Sequence, residues 1–193
     1  MTFKKFILTF FLFLSTQSVW AQWYYGPGIG YSRFSNDRIK TYDQVSAGPR
    51  FGALVGFHLT PSPIAAEVFY NYTSTKTDEL KYNSGRYVYH AKYQTLGFVG
   101  KYFIEMFHVR LGYAFHHFNT FITDYVTGGP VTNSAIDQEF GVVGKKFYSG
   151  PLFGAGMDIP LGTLTPYIVV TSYQLNSSNS DIFELEGGLK FSF

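Results

Sequence analysis

The last residues of the chain alternate between apolar and polar side chains. One face of an extended segment ending the chain would carry the apolar residues Phe183, Leu185, Leu189, Phe191 and Phe193. The other face would carry the charged residues Glu184, Glu186 and Lys190. Successive side chains of a strand point to opposite faces, so this segment must meet two different environments. It suits a half-buried soluble strand, and equally a strand with lipid outside and a polar lumen inside.

The start of the chain has the layout of a secretory signal peptide. Two lysines, Lys4 and Lys5, precede an apolar run over residues 6–14, and a small-residue site follows at Ala21. A membrane-spanning helix needs roughly 20 apolar residues, so this run is too short to be an anchor. We therefore predict two parts, a signal peptide at 1–21 and one exported domain at 22–193.

Composition narrows the class of the exported domain. Aromatic residues make up 20% of the chain and charged residues only 15%, against about 25% in an ordinary soluble domain. Loss of Lys4 and Lys5 would leave acidic and basic residues in balance, which gives no basis for nucleic-acid binding. The chain has no cysteine, so neither disulfides nor a thiolate metal site can form.

Alternating segments separated by turn signals recur along the whole domain. We predict eight strands, at roughly 23–34, 48–59, 64–73, 94–104, 107–118, 148–159, 165–175 and 183–193. Long breaks at 35–47, 74–89 and 119–147 alternate with short ones, one of which contains Pro61 and Pro63. Every long break then falls at one end of the structure, as in outer-membrane barrels. A lipocalin-like barrel would instead need a polar exterior and an apolar interior.

One stretch leaves two interpretations open. His90, Lys92 and Gln94 share the parity of the apolar Leu96, which lies on the predicted outer face. Either the strand continues beyond the bilayer, or a bulge interrupts it.

The sequence resembles the small outer-membrane β-barrels of the OmpA-transmembrane and OmpX-like kind. The resemblance covers the whole domain and rests on the signal peptide, the eight strands and the terminal aromatic residue. It implies an all-β fold, an eight-stranded antiparallel transmembrane β-barrel with short periplasmic turns and long extracellular loops. In such proteins the barrel-assembly machinery recognises a terminal aromatic with alternating apolar residues before it. Leu189, Phe191 and Phe193 match that pattern.

The strand assignment directs eight charged side chains into the lumen. Four are basic and four acidic: Arg50, Lys101, Arg110, Lys190, Glu67, Asp158, Glu184 and Glu186. An eight-stranded barrel is only wide enough for side chains to fill it, and unpaired buried charges are costly. We therefore predict a salt-bridged plug. The glycines of GPGIG, residues 26–30, would lie where the narrow lumen admits no side chain.

The five histidines raise the question of enzyme activity. Some barrels of this size modify lipid A, and a deacylase of that kind would show His-x-Ser on a strand, which this sequence lacks. His116 and His117 form a candidate rim site next to the longest loop, where Asp124 and Ser134 could approach. The alternative is that these histidines are interfacial and loop residues without a catalytic role.

These observations predict a monomer with a structural, adhesion or binding role through its loops. Expected partners are outer-membrane lipid and lipopolysaccharide, the barrel-assembly machinery, and a surface protein or glycan ligand. The sequence indicates no cofactor and no metal site. Two alternatives stay open: a lipid A-modifying enzyme of the outer leaflet, by acyl transfer or deacylation, and a narrow channel for small or apolar solutes.

Overall fold

The structure is a computed structural model that describes residues 20–142, 144–175 and 180–193. The predicted signal peptide lies outside these residues except for Trp20 and Ala21, which begin the first strand. Within the described residues, no helix is both long and apolar enough to cross a membrane.

The described residues form nine strands and two short helices. The strands are β1 Trp20–Asn36, β2 Ser46–Thr60, β3 Ile64–Lys76, β4 Leu80–Tyr82, β5 Gly85–Ile104, β6 Phe107–Asp124, β7 Gly144–Asp158, β8 Leu164–Gln174 and β9 Ser180–Ser192. The helices are α1 Asp37–Lys40 and α2 Ser134–Phe140. All strand pairs are antiparallel.

Eight of the strands close into a ring. β1 pairs with both β2 and β9, and β3 pairs with β5, which completes the circle. β4 adds a short hairpin to β5 outside the ring. The short turns that follow β2, β5 and β7 lie at one end of the barrel, together with the start of β1 and the end of β9, and the long connections lie at the other end. This arrangement confirms the predicted fold class, an eight-stranded antiparallel transmembrane β-barrel. We call the two ends the turn side and the loop side.

Alternation determines which residues face outward. On β6 the apolar residues Phe107, Val109, Leu111 and Phe115 are exposed, while their neighbours His108, Arg110 and His116 are buried. The same pattern on the other strands produces a continuous outer band of apolar side chains. Such a band is the surface that a bilayer covers in a membrane barrel.

The strands extend further on the loop side than the sequence suggested. β5 begins at Gly85 and pairs with β6 in continuous register, so the strand runs on beyond the apolar band and no bulge forms at His90, Lys92 and Gln94. The predicted long breaks were accordingly too wide. The break at 74–89 also contains β4, and the break at 119–147 contains α2. Elements of three and seven residues are too short for a periodic pattern to predict them.

Candidate functional site

The lumen contains the eight charged side chains that alternation directed inward, and all of them are buried. Arg50 on β2 pairs with two carboxylates of β9: its Nε lies 2.9 Å from Glu184, and a second guanidinium nitrogen pairs with Glu186. Tyr173 donates a hydrogen bond of 2.8 Å to Glu184, and Tyr167 donates one to Glu186. One arginine and two tyrosines thus satisfy two adjacent carboxylates.

A second cluster lies nearer the turn side. Glu67 of β3 is 2.6 Å from the ammonium of Lys101 and 3.2 Å from that of Lys190, and it accepts a hydrogen bond of 2.9 Å from Tyr24. Lys190 also lies 2.5 Å from Asp158. Two cations and two anions from four strands therefore form one connected network. Sequence alternation alone could not have predicted which of these charges pair.

Arg110 differs from the other three lumen cations. Its side chain is buried, and its guanidinium lies 5.3 Å from the centroid of the Phe69 ring. Among the described residues it forms no ion pair within 4.0 Å. Its planar group packs on an aromatic face, which is a cation–π contact.

Small residues of β1 leave room for these side chains. Gly28 faces inward opposite Gly188 of β9. A Cβ atom added at Gly28 would collide with the carboxylate of Glu186 and the hydroxyl of Tyr167. A glycine is therefore required at this position because larger side chains from other strands already occupy the lumen.

On the loop side the lumen is filled by aromatic rings. Phe34, Tyr89, Tyr93 and Phe118 are buried, with the Tyr93 and Phe118 rings stacked at 4.7 Å. Above them lie two residues of the loop helices, Ile39 of α1 and Phe140 of α2, each with 0% exposure. The loop-side mouth is therefore covered by the chain itself.

Phe140 is the centre of this cover. Its ring contacts Tyr42, Tyr82 and Tyr87 at centroid distances of 5.1, 5.9 and 6.0 Å. These tyrosines come from the first and second predicted long breaks, while Phe140 comes from the third. We call this assembly the loop cap, formed by Ile39, Tyr42, Tyr82, Tyr87, Ile136 and Phe140.

Asn36 joins the cap to the barrel. Its side-chain oxygen accepts a 2.9 Å hydrogen bond from the backbone of Ile39 and so caps α1. Its amide donates to the Tyr89 hydroxyl at 3.3 Å and to the carbonyl of Phe140 at 3.4 Å. Sequence reasoning missed the cap, since the only available signal was an asparagine before a single helical turn.

Outside the cap, a small ordered patch faces solvent on the loop side. Arg86 makes two hydrogen bonds to the carboxylate of Glu79, of 2.6 and 2.7 Å, and its guanidinium lies 4.5 Å from the Tyr125 ring centroid. The hydrogen bond from Arg86 lowers the pKa of Glu79. Next to Tyr125, Val126 is 75% exposed. We call Glu79, Arg86, Tyr125 and Val126 the loop patch.

The two histidines of the predicted rim site do not form one site. His116 faces the lumen, is fully buried and lies 2.9 Å from the Thr95 hydroxyl. His117 faces outward and stacks on Phe147 at 4.5 Å. Neighbouring residues of a strand point to opposite faces, which separates the two imidazoles.

The acidic and hydroxyl partners proposed for that site, Asp124 and Ser134, do not join the two imidazoles. Asp124 accepts hydrogen bonds from Val126 and Thr127 within its own turn. Ser134 is the first residue of α2. In residues 20–142, 144–175 and 180–193, no group of three or more His, Asp or Glu side chains is placed to hold a metal ion.

The three residues of the predicted assembly signal lie on the outer face of β9 or at its end. Leu189, Phe191 and Phe193 are exposed by 40%, 39% and 77%. Phe191 stacks on Tyr25 of β1 at 5.7 Å. β9 is therefore joined to β1 at the turn side by outward aromatic contacts as well as by backbone pairing.

The fold, but not the sequence, of this chain matches known proteins. No protein-family model and no curated protein sequence matches the chain. Among solved structures, a major outer membrane protein of Thermus thermophilus superposes with a TM-score of 0.57 at 13% identity, over 90% of this chain and 99% of that one. This identity establishes the fold alone.

Two further matches have lower TM-scores. The attachment invasion locus protein Ail of Yersinia pestis matches at 13% identity and a TM-score of 0.48, over 88% of this chain and 98% of that one. Neisserial surface protein A matches at 13% identity and a TM-score of 0.46, over 90% and 99%. The chain is a transmembrane β-barrel. Its closed ring of eight antiparallel strands is the fold that it shares with the outer membrane protein of Thermus thermophilus.

Proposed function

We propose that this protein is an outer-membrane barrel with a closed lumen, whose ordered loops bind a ligand at the cell surface. The observation that carries the proposal is the loop cap. Three long connections converge on Phe140 and form one packed unit. Loops held in one arrangement lose less entropy on binding than mobile ones, which favours recognition.

The filled lumen favours a closed barrel rather than an open channel. Its turn-side and middle parts contain paired charges, such as Glu67 with Lys101 and Arg50 with Glu184, and its loop-side part contains aromatic rings. An eight-stranded barrel has little interior space beyond its own side chains. A solute would have to displace both a buried charge network and the loop cap.

The loop patch is the surface that we propose contacts the ligand. It combines an arginine, a tyrosine and an exposed apolar residue, and arginine and tyrosine are enriched at binding hot spots. The Glu79 pair and the Tyr125 ring hold Arg86 in one position before any ligand arrives. This composition suits a protein or glycan partner.

Location and export belong to the same proposal. The exposed apolar band supports a location in lipid, and the matched solved structure from Thermus thermophilus is an outer membrane protein. Residues 1–21 would direct export and be removed, which would shorten β1 by its first two residues. Leu189, Phe191 and Phe193 would then present the assembly signal of a monomeric barrel.

Binding by cells that carry the protein tests this proposal. Cells with and without it would be compared on panels of purified glycans and matrix proteins, and the wild type would be compared with Val126→Asp. The matched control is Leu161→Asp, because Leu161 is 61% exposed at the opposite, turn side. We expect cells that carry the wild-type protein to be retained on a panel member. Val126→Asp should abolish this retention, and Leu161→Asp should leave it intact. Equal retention by both variants, or none by the wild type, would contradict the proposal.

A further inference from the structure

A cleft on the outer wall of the barrel carries positive charge near the loop side. It has a volume of about 220 Å³ and is lined by β3, β5, β6 and β7. The outward-facing residues that line it are Tyr72, Lys92, Gln94, His117, Asn119 and Lys145. We call it the cationic cleft.

Strand register places the two lysines at one height. Lys92 of β5 pairs with Asn119 of β6, and Asn119 pairs with Lys145 of β7. Directly opposite residues of antiparallel strands share a face, so an amide separates two ammonium groups along one row. One row closer to the turn side, Tyr72, Gln94 and His117 are aligned in the same way.

The charge of the cleft is not neutralised by its surroundings in the described part of the chain. Among the described residues, neither Lys92 nor Lys145 has an acidic group within 4.0 Å. Lys76 lies on a neighbouring row of the same wall, where it pairs with His90. Across the barrel, the rim lysine Lys40 is instead paired with Asp181 at 2.8 Å. The cleft therefore carries positive charge that no neighbouring carboxylate in the described residues compensates.

The cleft lies at the border of the apolar band. On β5, Leu96 and Phe98 are exposed on the same face, and Leu96 is four residues from Lys92, about 13 Å along the strand. On β6, Phe115 is exposed two residues from His117. If the apolar band lies in the hydrocarbon core, the cleft lies at the depth of the lipid headgroups and opens sideways toward them.

We propose that the cationic cleft binds a phosphate of a phosphorylated glycolipid headgroup in the leaflet around the loop side. The proposal rests on the membrane location proposed above. Two ammonium groups can pair with phosphate oxygens, and the side-chain amides of Gln94 and Asn119 supply neutral donors. The acyl chains would lie along the outward residues Leu96 and Phe115. Anchoring on one side would fix the orientation of the loop patch relative to the surrounding lipid.

Titration of the folded, full-length barrel with diphosphorylated lipid A in uncharged detergent micelles tests the proposal. We expect Lys92→Gln combined with Lys145→Gln to weaken binding roughly tenfold or more, since it removes both ammonium partners of the phosphate. The matched control is Lys40→Gln combined with Lys81→Gln, which removes the same charge from the loop side outside the cleft. We expect the control to bind like the wild type, and Lys92→Arg with Lys145→Arg to retain binding.

Three results would overturn the proposal. The first is equal binding of dephosphorylated lipid A, the second is equal weakening by the control pair, and the third is inorganic phosphate competing as well as lipid A does. The third result would indicate a site for free anions. Failure of the wild type to fold into phosphatidylcholine vesicles would instead contradict the membrane location, so the two failures are distinguishable.

Discussion

In the turn-side and middle parts of the lumen, charged side chains from five strands meet in ion pairs, whereas in the loop-side part aromatic rings and two loop helices fill the space. The two regions have equally buried side chains and opposite chemistry. Arg50 and Phe140 are 2% and 0% exposed, respectively. The charged region is built by residues on the strands, and the aromatic region depends on residues from the connections.

The two regions should therefore respond differently to substitutions. A charged network is sensitive to the loss of one member because its partners are left buried and unpaired. An aromatic cluster loses contacts roughly in proportion to the volume removed. We therefore expect substitutions in the charged region to destabilise the whole barrel, and substitutions in the loop cap to act mainly on the loops.

The largest effect is expected from Arg50→Leu. This change leaves Glu184 and Glu186 without their cation, and we expect the free energy of unfolding to fall by roughly 3–5 kcal/mol. Urea unfolding of the barrel in phospholipid vesicles would measure it. The control, Lys40→Leu, removes an exposed ion pair and should cost about 0–1 kcal/mol. Equal losses in the two variants would refute the role assigned to the lumen network.

Phe140→Ala should have the next largest effect and should act locally. We expect a cost of about 3 kcal/mol to the packing of the loop cap, with the ring strands unchanged. Limited proteolysis should then cleave within residues 119–147, while circular dichroism retains its strand signal. Phe147→Ala is the matched control, because Phe147 is 79% exposed. Resistance to protease equal to that of the wild type would show that Phe140 does not hold the cap together.

Tyr42→Phe should weaken the loop cap while keeping the aromatic ring in place. The Tyr42 hydroxyl donates a 2.6 Å hydrogen bond to Glu139, and burial together with this bond raises the pKa of Tyr42 to about 12. Loss of one such bond should cost about 1 kcal/mol. Hydrogen exchange of α2 should therefore increase modestly, by less than in Phe140→Ala. A larger increase than in Phe140→Ala would reverse the proposed order of contributions.

Acidification should loosen the loop patch by the smallest amount. Arg86 lowers the pKa of Glu79 below its usual value of 4.5, so the stabilisation is present above that value and is lost as pH falls through the lowered pKa. Fluorescence of a probe attached next to β4 should report this loosening below about pH 4.5. Glu79→Gln should remove the pH dependence. A response unchanged by that variant would assign the transition to another group.

The two regions also differ in how well the sequence predicted them. Alternation assigned Glu67 and Lys101 to the inner face of their strands. A shift of one residue would have placed these charges in lipid, so the pattern predicted which face of each strand is the inner one and thereby the fold. It could not predict which charges pair, since pairing depends on the stagger between strands. Arg110 illustrates this limit, as it packs on Phe69 without a carboxylate partner in the described chain.

The loop cap could not be predicted for a different reason. Ile39 and Phe140 belong to helices of four and seven residues, too short for a periodic pattern to be recognised. Their burial depends on contacts between connections that are distant in the sequence. For the predicted rim site, the sequence already contained the answer. His116 and His117 are consecutive residues of one strand, so their side chains point to opposite faces and cannot share a site.

Electrical conductance across a planar lipid bilayer tests the closed barrel most directly. The wild-type protein, folded and inserted, should give no steady ion current, because the charge network and the loop cap occupy the lumen in series. Phe140→Ala alone should leave it closed, since the charged region remains intact. A steady current through the wild type that changes when Arg50 or Glu184 is neutralised would contradict the account and establish a channel.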